Sequence, residues 1–352
     1  MEKKLKQCLG VDVSKSNLSI CLGVLNSNLE KEFIGHSDIS NDLRGFKIMV
    51  SWIKKVVVKN VEFIVLMEAT GVYHQAVCHY LYSQGYKVSV MQSGRVKRYA
   101  QSLDQRSKTD ALDSRMLSML GLERSLRSWT PPSKELQELK ALSRERSSLL
   151  KDKNAEINRQ GAIESSCYSS SKASKRHLAR LGLINAQIKA IEEEMEALVS
   201  RTRTLKNRIG YLESIPGISF ISAATVIGET LGFESISSAK QLTSFAGYDV
   251  ILRESGNFKG KTRISKKGNS HIRAVLHMPS MTCVRCNPTL KQFYRRLKPQ
   301  KAKPIVALVA VQRKLLILMY TLWKNEAYYD AEYENKKQQE PQALAAQDSI
   351  MI

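Results

Sequence analysis

Asp12, Glu68, Asp110 and Asp113 are the residues whose types and spacing best suit chemistry. Asp12 lies inside the apolar run Leu9-Gly-Val-Asp12-Val, where a lone charge is costly unless a partner or a metal compensates it. Glu68 closes a second apolar run, Phe63-Ile-Val-Leu-Met67, and Lys108-Thr-Asp110-Ala-Leu-Asp113 opens a helix with both aspartates on one face. Metal-assisted phosphodiester chemistry needs carboxylates that converge from separate elements. Two Mg²⁺ ions roughly 4 Å apart then clamp the attacking and leaving oxygens, and Mg²⁺ takes oxygen ligands. Without cations, four neighbouring acids raise one another's pKa values. Each acid also has a plain structural account: a strand-end turn for Asp12, a cap for Glu68, and dipole-compensating first-turn acids for Asp110 and Asp113. The order strand Asp, strand-end Glu, helix DxxD favours a metal cage over four coincidences.

A second set is basic. Arg253-Glu254-Ser255-Gly256-Asn257-Phe258-Lys259-Gly260 precedes Arg263-Ile-Ser265-Lys266-Lys267-Gly268 and Arg273. Such a loop suits a phosphate, held by guanidinium groups and backbone N–H groups. A serine hydroxyl needs activation before it attacks phosphorus, so spacing alone makes Ser255 a turn residue. Arg95, Lys97, Arg98, Arg106 and Lys108 form another cluster just ahead of Asp110, and beside an acidic site they read as a phosphate track. Ser214-Ile-Pro216-Gly217-Ile218 reads as a helix-hairpin-helix element offering N–H groups to a phosphate. A tight turn between packed helices accounts for Gly217 equally well.

The elements that position these residues begin with an α/β region. Leu9–Val13 and Leu18–Val24 pattern as a hairpin turned by Ser14 to Asn17. Asn41 is placed to cap a helix through Phe46, Met49, Val50 and Ile53. Phe63–Met67 patterns as a strand buried on both faces. A helix over about 73–84, stopped by Gly85, and a strand over 86–91 complete a mixed sheet covered by helices. Pro131-Pro132 ends that pattern. Ile184, Ile188, Ile191, Met195, Leu198 and Leu205 keep a heptad phase, which predicts a coiled-coil arm of two helices broken at the Ser-rich stretch 165–174. A mostly helical, basic region follows, and after Asp330 the composition predicts a frayed tail.

Three segments, Gly10-Val-Asp12-Val-Ser-Lys15, Met67-Glu68-Ala-Thr-Gly71-Val-Tyr73 and Lys108-Thr-Asp110-Ala-Leu-Asp113-Ser-Arg115, resemble the DEDD motif of certain insertion-sequence transposases. Glu254-Ser255-Gly256 with Ser265-Lys266-x-Gly268 resembles their C-terminal block, although Asn257-Phe258 stand where a further small or hydroxyl residue is common. The likeness runs through nearly the whole chain and is weakest in the arm. It implies an α/β RNase H-like (RuvC-like) DEDD domain over 1–130, a coiled-coil arm over 131–209, a mostly helical serine transposase domain over 210–330 and a disordered tail over 331–352. It implies Mg²⁺ on Asp12, Glu68, Asp110 and Asp113. It also implies a covalent 5′-phosphoserine link at Ser255, with the acids of a partner subunit activating the scissile phosphate. The implied partners are donor and target DNA, a structured bridge RNA that reads sequence by base pairing, and further copies of the chain, as dimers pairing into a tetramer.

Composition agrees with a polyanionic partner. Lys+Arg number 55 against Asp+Glu 33, a net charge of +22. A membrane is the other partner such charge allows. No apolar run is expected to reach the roughly 18 residues of a spanning helix, because Arg313 and Lys314 interrupt 304–323. The charged N-terminus is not that of a secretory signal. Six scattered cysteines with one CxxC, Cys283-Val-Arg-Cys286, predict reduced, buried thiols in a cytosol, and the resemblance to transposases implies a bacterial cytoplasm, at the nucleoid. Two rivals remain: a RuvC-like, metal-dependent junction nuclease acting by hydrolysis, and a non-enzymatic coiled-coil scaffold that leaves the ordered acids unexplained.

Overall fold

β1 (Lys4–Val13) and β2 (Asn17–Asn26) form the expected hairpin, closed where Ser14 N and Oγ both donate to the carbonyl of Asn17, at 2.9 and 2.8 Å. A third antiparallel strand, β3 (Lys31–Ser40), pairs with β2. Periodicity does not reveal it, because at this sheet edge most of its residues stay at least partly exposed. α1 (Leu43–Val56) is capped by Asp42, whose carboxylate accepts from Gly45 N, rather than by Asn41. The Asn41 amide instead donates to the carbonyls of Ser14 and Tyr73. β4 (Glu62–Glu68) runs parallel to β1, α2 (Gln75–Ser83) follows, and β5 (Val88–Met91) is parallel to β4. α3 (Ser93–Ser102) and α4 (Asp110–Glu123) complete this part. The strand order β3-β2-β1-β4-β5, with three antiparallel strands leading into parallel ones, is the RNase H-like arrangement of RuvC.

Strand pleat divides the residues of this sheet between two faces. Leu9, Val11 and Val13 of β1 join Phe46, Met49 and Ile53 of α1 and Val77 and Leu81 of α2 in one core. Cys8, on the other face, packs with Ile64 and Leu66 of β4 and Met116, Leu117 and Leu120 of α4.

The computed structural model describes residues 3–103, 107, 109–167, 170–252, 254–256, 258–260, 262–301 and 303–332. They fall into two units, Met1–Pro131 and Pro132–Ile352. The expected tail from 333 onward lies outside the described residues.

The second unit starts with two long helices, α5 (Lys134–Glu164) and α6 (Ser171–Arg201). They are antiparallel: Arg146 pairs with Glu192 while the later Glu156 pairs with the earlier His177 and Arg180. Ile188, Ile191, Met195 and Leu198 are buried as the heptad phase requires, and Leu205 is buried in α7 (Arg203–Glu213). α8 (Phe220–Thr230) and α9 (Ala239–Ala246) lead to four two-residue strands: β6 (Val250–Ile251), β7 (Glu254–Ser255), β8 (Phe258–Lys259) and β9 (Arg263–Ile264). α10 (Ser270–Val275), α11 (His277–Cys286), α12 (Pro288–Leu297) and α13 (Pro304–Asn325) close the fold.

One expectation needs correcting here. α13 is long and apolar enough to cross a membrane by length and composition. Arg313 and Lys314 do not prevent this, because the apolar residues on either side of the two charges outweigh them. Its Val311, Leu315, Leu316, Met319 and Trp323 are nevertheless buried in the second unit's core, which identifies a central core helix. All six cysteines are free; Cys8, Cys21, Cys78 and Cys283 are buried and Cys167 and Cys286 exposed. Burial pushes the Cys8 thiol up to about 12, so it is inert.

Candidate active site

The sheet face that meets α4 positions the acids. At Gly10 an added Cβ would lie 2.1 Å from Ser114 O and 2.3 Å from Ser118 N, so only glycine lets α4 sit directly on β1. Asp12 is two residues further along β1, on the same face. Asp110 and Asp113 occupy the first turn of α4, which Thr109 caps by accepting from Leu112 N at 3.2 Å. Glu68 ends β4 on the face of Ile64 and Leu66. The Gly-Val-Asp segment thus works as a unit: the glycine admits the helix and the aspartate meets its first turn.

Electrostatics agree with this convergence. The Asp12 carboxyl is pushed up to about 6, first by burial and then by the charges of Asp113, Asp110 and Glu68. All four predicted acids therefore share one field. Asp12 and Asp110 line a cavity of about 140 Å³ with Ser14, Asn17, Ser19 and Asp38. No three His, Cys, Asp or Glu side chains among the described residues are gathered tightly enough to hold one ion as they stand. The donor set nonetheless suits a hard divalent cation: it consists of carboxylate oxygens, and a cation removes the repulsion that raises Asp12.

Sequence reasoning missed Asp38. Register places it opposite Ser19, which lies opposite Asp12, so the three form a row across β1, β2 and β3. His36 bridges the row, 2.8 Å from Ser19 Oγ and 3.5 Å from Asp38. Only recognition of β3 as a strand would have exposed this.

The serine and its basic setting belong to the second unit. Ser255 ends β7 and is exposed, paired with Phe258 across a tight hairpin in which Gly256 takes φ +52°. Ser265 is engaged differently: its Oγ donates to Asp249 at 2.5 Å and accepts from Lys267 N at 3.2 Å. Lys266 and Lys267 are exposed, as is Arg263 on β9. Arg273 turns inward and donates Nη1 to the carbonyls of Ala246, Gly268 and Asn269, fastening the loop to the end of α9. Behind the loop, Asn269 Nδ2 donates to buried Glu229 at 2.6 Å, and Arg144 grips the same carboxylate at 2.8 and 3.1 Å. Gly217 sits between α7 and α8 at φ +102°, and a Cβ there would meet Cys283 at 2.8 Å. Arg95, Lys97 and Arg98 are exposed on α3. Arg106, Lys108, Arg253 and the side chain of Lys259 lie outside the described residues.

Comparison with known proteins accords with this geometry. A DEDD-type family model described as "Transposase" matches residues 9–163. A second, "Transposase IS116/IS110/IS902 family", matches residues 210–295. The pilin gene-inverting protein of Moraxella bovis is 25% identical over 332 residues, spanning 92% of this chain and 98% of that protein. The transposase for insertion sequence element IS1111A of Coxiella burnetii is 24% identical over 219 residues, 54% of this chain and 58% of that one. A Thermus thermophilus RuvC structure is 10% identical and covers 35% of this chain and 99% of that chain, with a TM-score of 0.28. With RNase H-like topology, the ordered acids and two matching family segments, this chain belongs to the IS110/IS116 family of transposases.

Proposed function

We propose that this DNA transposase/recombinase cuts and rejoins strands through a phosphoserine at Ser255, with Mg²⁺ held by Asp12, Glu68, Asp110 and Asp113. The observation that carries the reading is the placement of Asp12 on β1, Glu68 at the end of β4 and Asp110 and Asp113 in the first turn of α4, acids whose mutual repulsion a divalent cation would relieve. Mg²⁺ bound there supplies positive charge to the scissile phosphate and its leaving oxygen. The chain's own groups do the rest. Ser255, exposed on its hairpin, directs its hydroxyl oxygen at phosphorus as the P–O3′ bond breaks, leaving a 3′-hydroxyl and a 5′-phosphoserine. Attack by a 3′-hydroxyl on that ester releases the serine and reseals the strand. Arg263, Lys266 and Lys267 contact flanking phosphates.

Rejoining favours this account over hydrolysis. A relative named for inverting a gene must reconnect the ends that it makes, whereas a water-activating nuclease leaves them free. A bridge RNA supplies sequence choice by base pairing, in keeping with a net charge of +22. Dimers joined through the α5–α6 arm pair into a tetramer around two DNAs at the nucleoid. The test is strand transfer by two variants. Asp12→Asn and Ser255→Ala each abolish it while RNA binding persists; full transfer by either refutes the assigned role.

A further inference from the structure

A groove of about 430 Å³ runs between α3 and α4, lined by Met91, Arg95, Arg98, Tyr99, Ser102 and Arg124. Helical spacing builds one wall: Arg95, Arg98, Tyr99 and Ser102 recur three and four residues apart along α3, while Val96 is buried against α4. Arg124, just past the end of α4, belongs to the other wall. Among the described residues no ion pair or hydrogen bond engages the guanidinium group of Arg95, Arg98 or Arg124. The nearby acid, Glu123, is already taken by Lys31 and by the hydroxyl of Tyr99, the latter at 2.8 Å. Three guanidinium groups around one groove, none of them in a direct ion pair and only Arg124 in the field of Glu123, call for several anionic oxygens, and their planar forks match phosphate.

The groove also has a direction. Met91 at one end is the register partner of Glu68, and its carbonyl accepts from Ala69 N at 2.8 Å. A chain of phosphates lying along α3 therefore leads to the strand end that carries an acid of the site.

We infer that the α3–α4 groove holds the backbone of the DNA strand entering the acidic site, with Arg95, Arg98 and Arg124 on successive phosphates. The inference deepens the reading of that site and rests on it for the identity of the strand. Phosphate contacts carry no sequence information, so the groove positions a strand and leaves its choice to other parts.

The experiment compares two triple variants of the full chain that lose equal charge. Arg95→Ala/Arg98→Ala/Arg124→Ala empties the groove, while Lys47→Ala/Lys54→Ala/Lys55→Ala strips α1, which packs on the opposite sheet face. Binding of a fluorescent single-stranded DNA is followed by anisotropy across salt concentrations, with RNA of equal length alongside. The groove variant should bind DNA at least about tenfold more weakly, with its log–log salt slope reduced by about 2, as three lost phosphate contacts at roughly 0.7 each require. The α1 variant should change little. Equal weakening in both variants, an unchanged slope, or weakening confined to RNA would overturn the inference. Asp12→Asn, which leaves the groove intact, should retain DNA binding while losing cleavage, so the acid-site reading stands or falls separately.

Discussion

Glu229 is a buried charge whose environment sets a measurable cost. Its side chain is 0% exposed and accepts from both Arg144 nitrogens and from Asn269, linking α5 and α8 to the residue that caps α10. Arg144→Ala strands that carboxylate with one amide partner. Breaking a buried pair in this way costs about 3–5 kcal/mol, and about 4 applies here because Lys140, whose charge also acts on Glu229, makes no ion pair with it. Glu229→Ala costs less, about 3 kcal/mol: Arg144 is 50% exposed and regains water, leaving mainly the unsatisfied Asn269 amide and a small void. Two independent losses would total about 7 kcal/mol. The double variant should lose only about 4–5, because no unpaired charge remains, which gives a coupling of about 2–3 kcal/mol. Urea unfolding of the full chain, followed at buried Trp323 with Trp52 and Trp129 changed to phenylalanine, reports on this unit. A cost below about 1 kcal/mol for Arg144→Ala, or single costs that simply add, would refute the reasoning.

Two other outcomes follow from packing and charge. Gly10→Ala drives a Cβ into the backbone at Ser114 and Ser118, neither of which can rotate away, so it should destabilise the first unit by about 3 kcal/mol and abolish DNA cleavage; an unchanged melting temperature would contradict the close approach. Glu156, buried in the α5–α6 seam, meets Arg159, His177 and Arg180, and its carboxyl is held down at about 2, foremost by the Arg159 hydrogen bond. A depressed folded pKa stabilises fully above the unfolded value of about 4.3 and is lost as pH falls through the folded one. Helicity of the α5–α6 pair should therefore decline between pH 4 and about 2, a step that circular dichroism resolves and that should vanish in Glu156→Gln.

Much of this was legible in the residues. The β1–β2 hairpin, the buried β4 strand and the helix opened at Asp110 follow from apolar periodicity and capping chemistry, because there local preference and tertiary packing coincide. β3 escaped because an edge strand that stays largely exposed carries little periodic signal, and Asp38 was hidden with it. The helix cap fell one residue late because Asn41 and Asp42 both suit capping, and only the distant carbonyls of Ser14 and Tyr73 decide between them. Arg273 reads as a phosphate contact in sequence, yet the fold commits its Nη1 to three carbonyls. Nothing along the chain announces that Gly217 must make room for Cys283.

The central claim is a covalent bond between one hydroxyl and cut DNA, and trapping that bond tests it most directly. With Mg²⁺, bridge RNA and end-labelled substrate, the wild-type chain should yield a detergent-stable protein–DNA adduct. Mass spectrometry should place the phosphate on Ser255, and Ser255→Ala should yield no adduct. Cleavage of labelled DNA by the wild type with no adduct, or an adduct that survives in Ser255→Ala, would contradict the account.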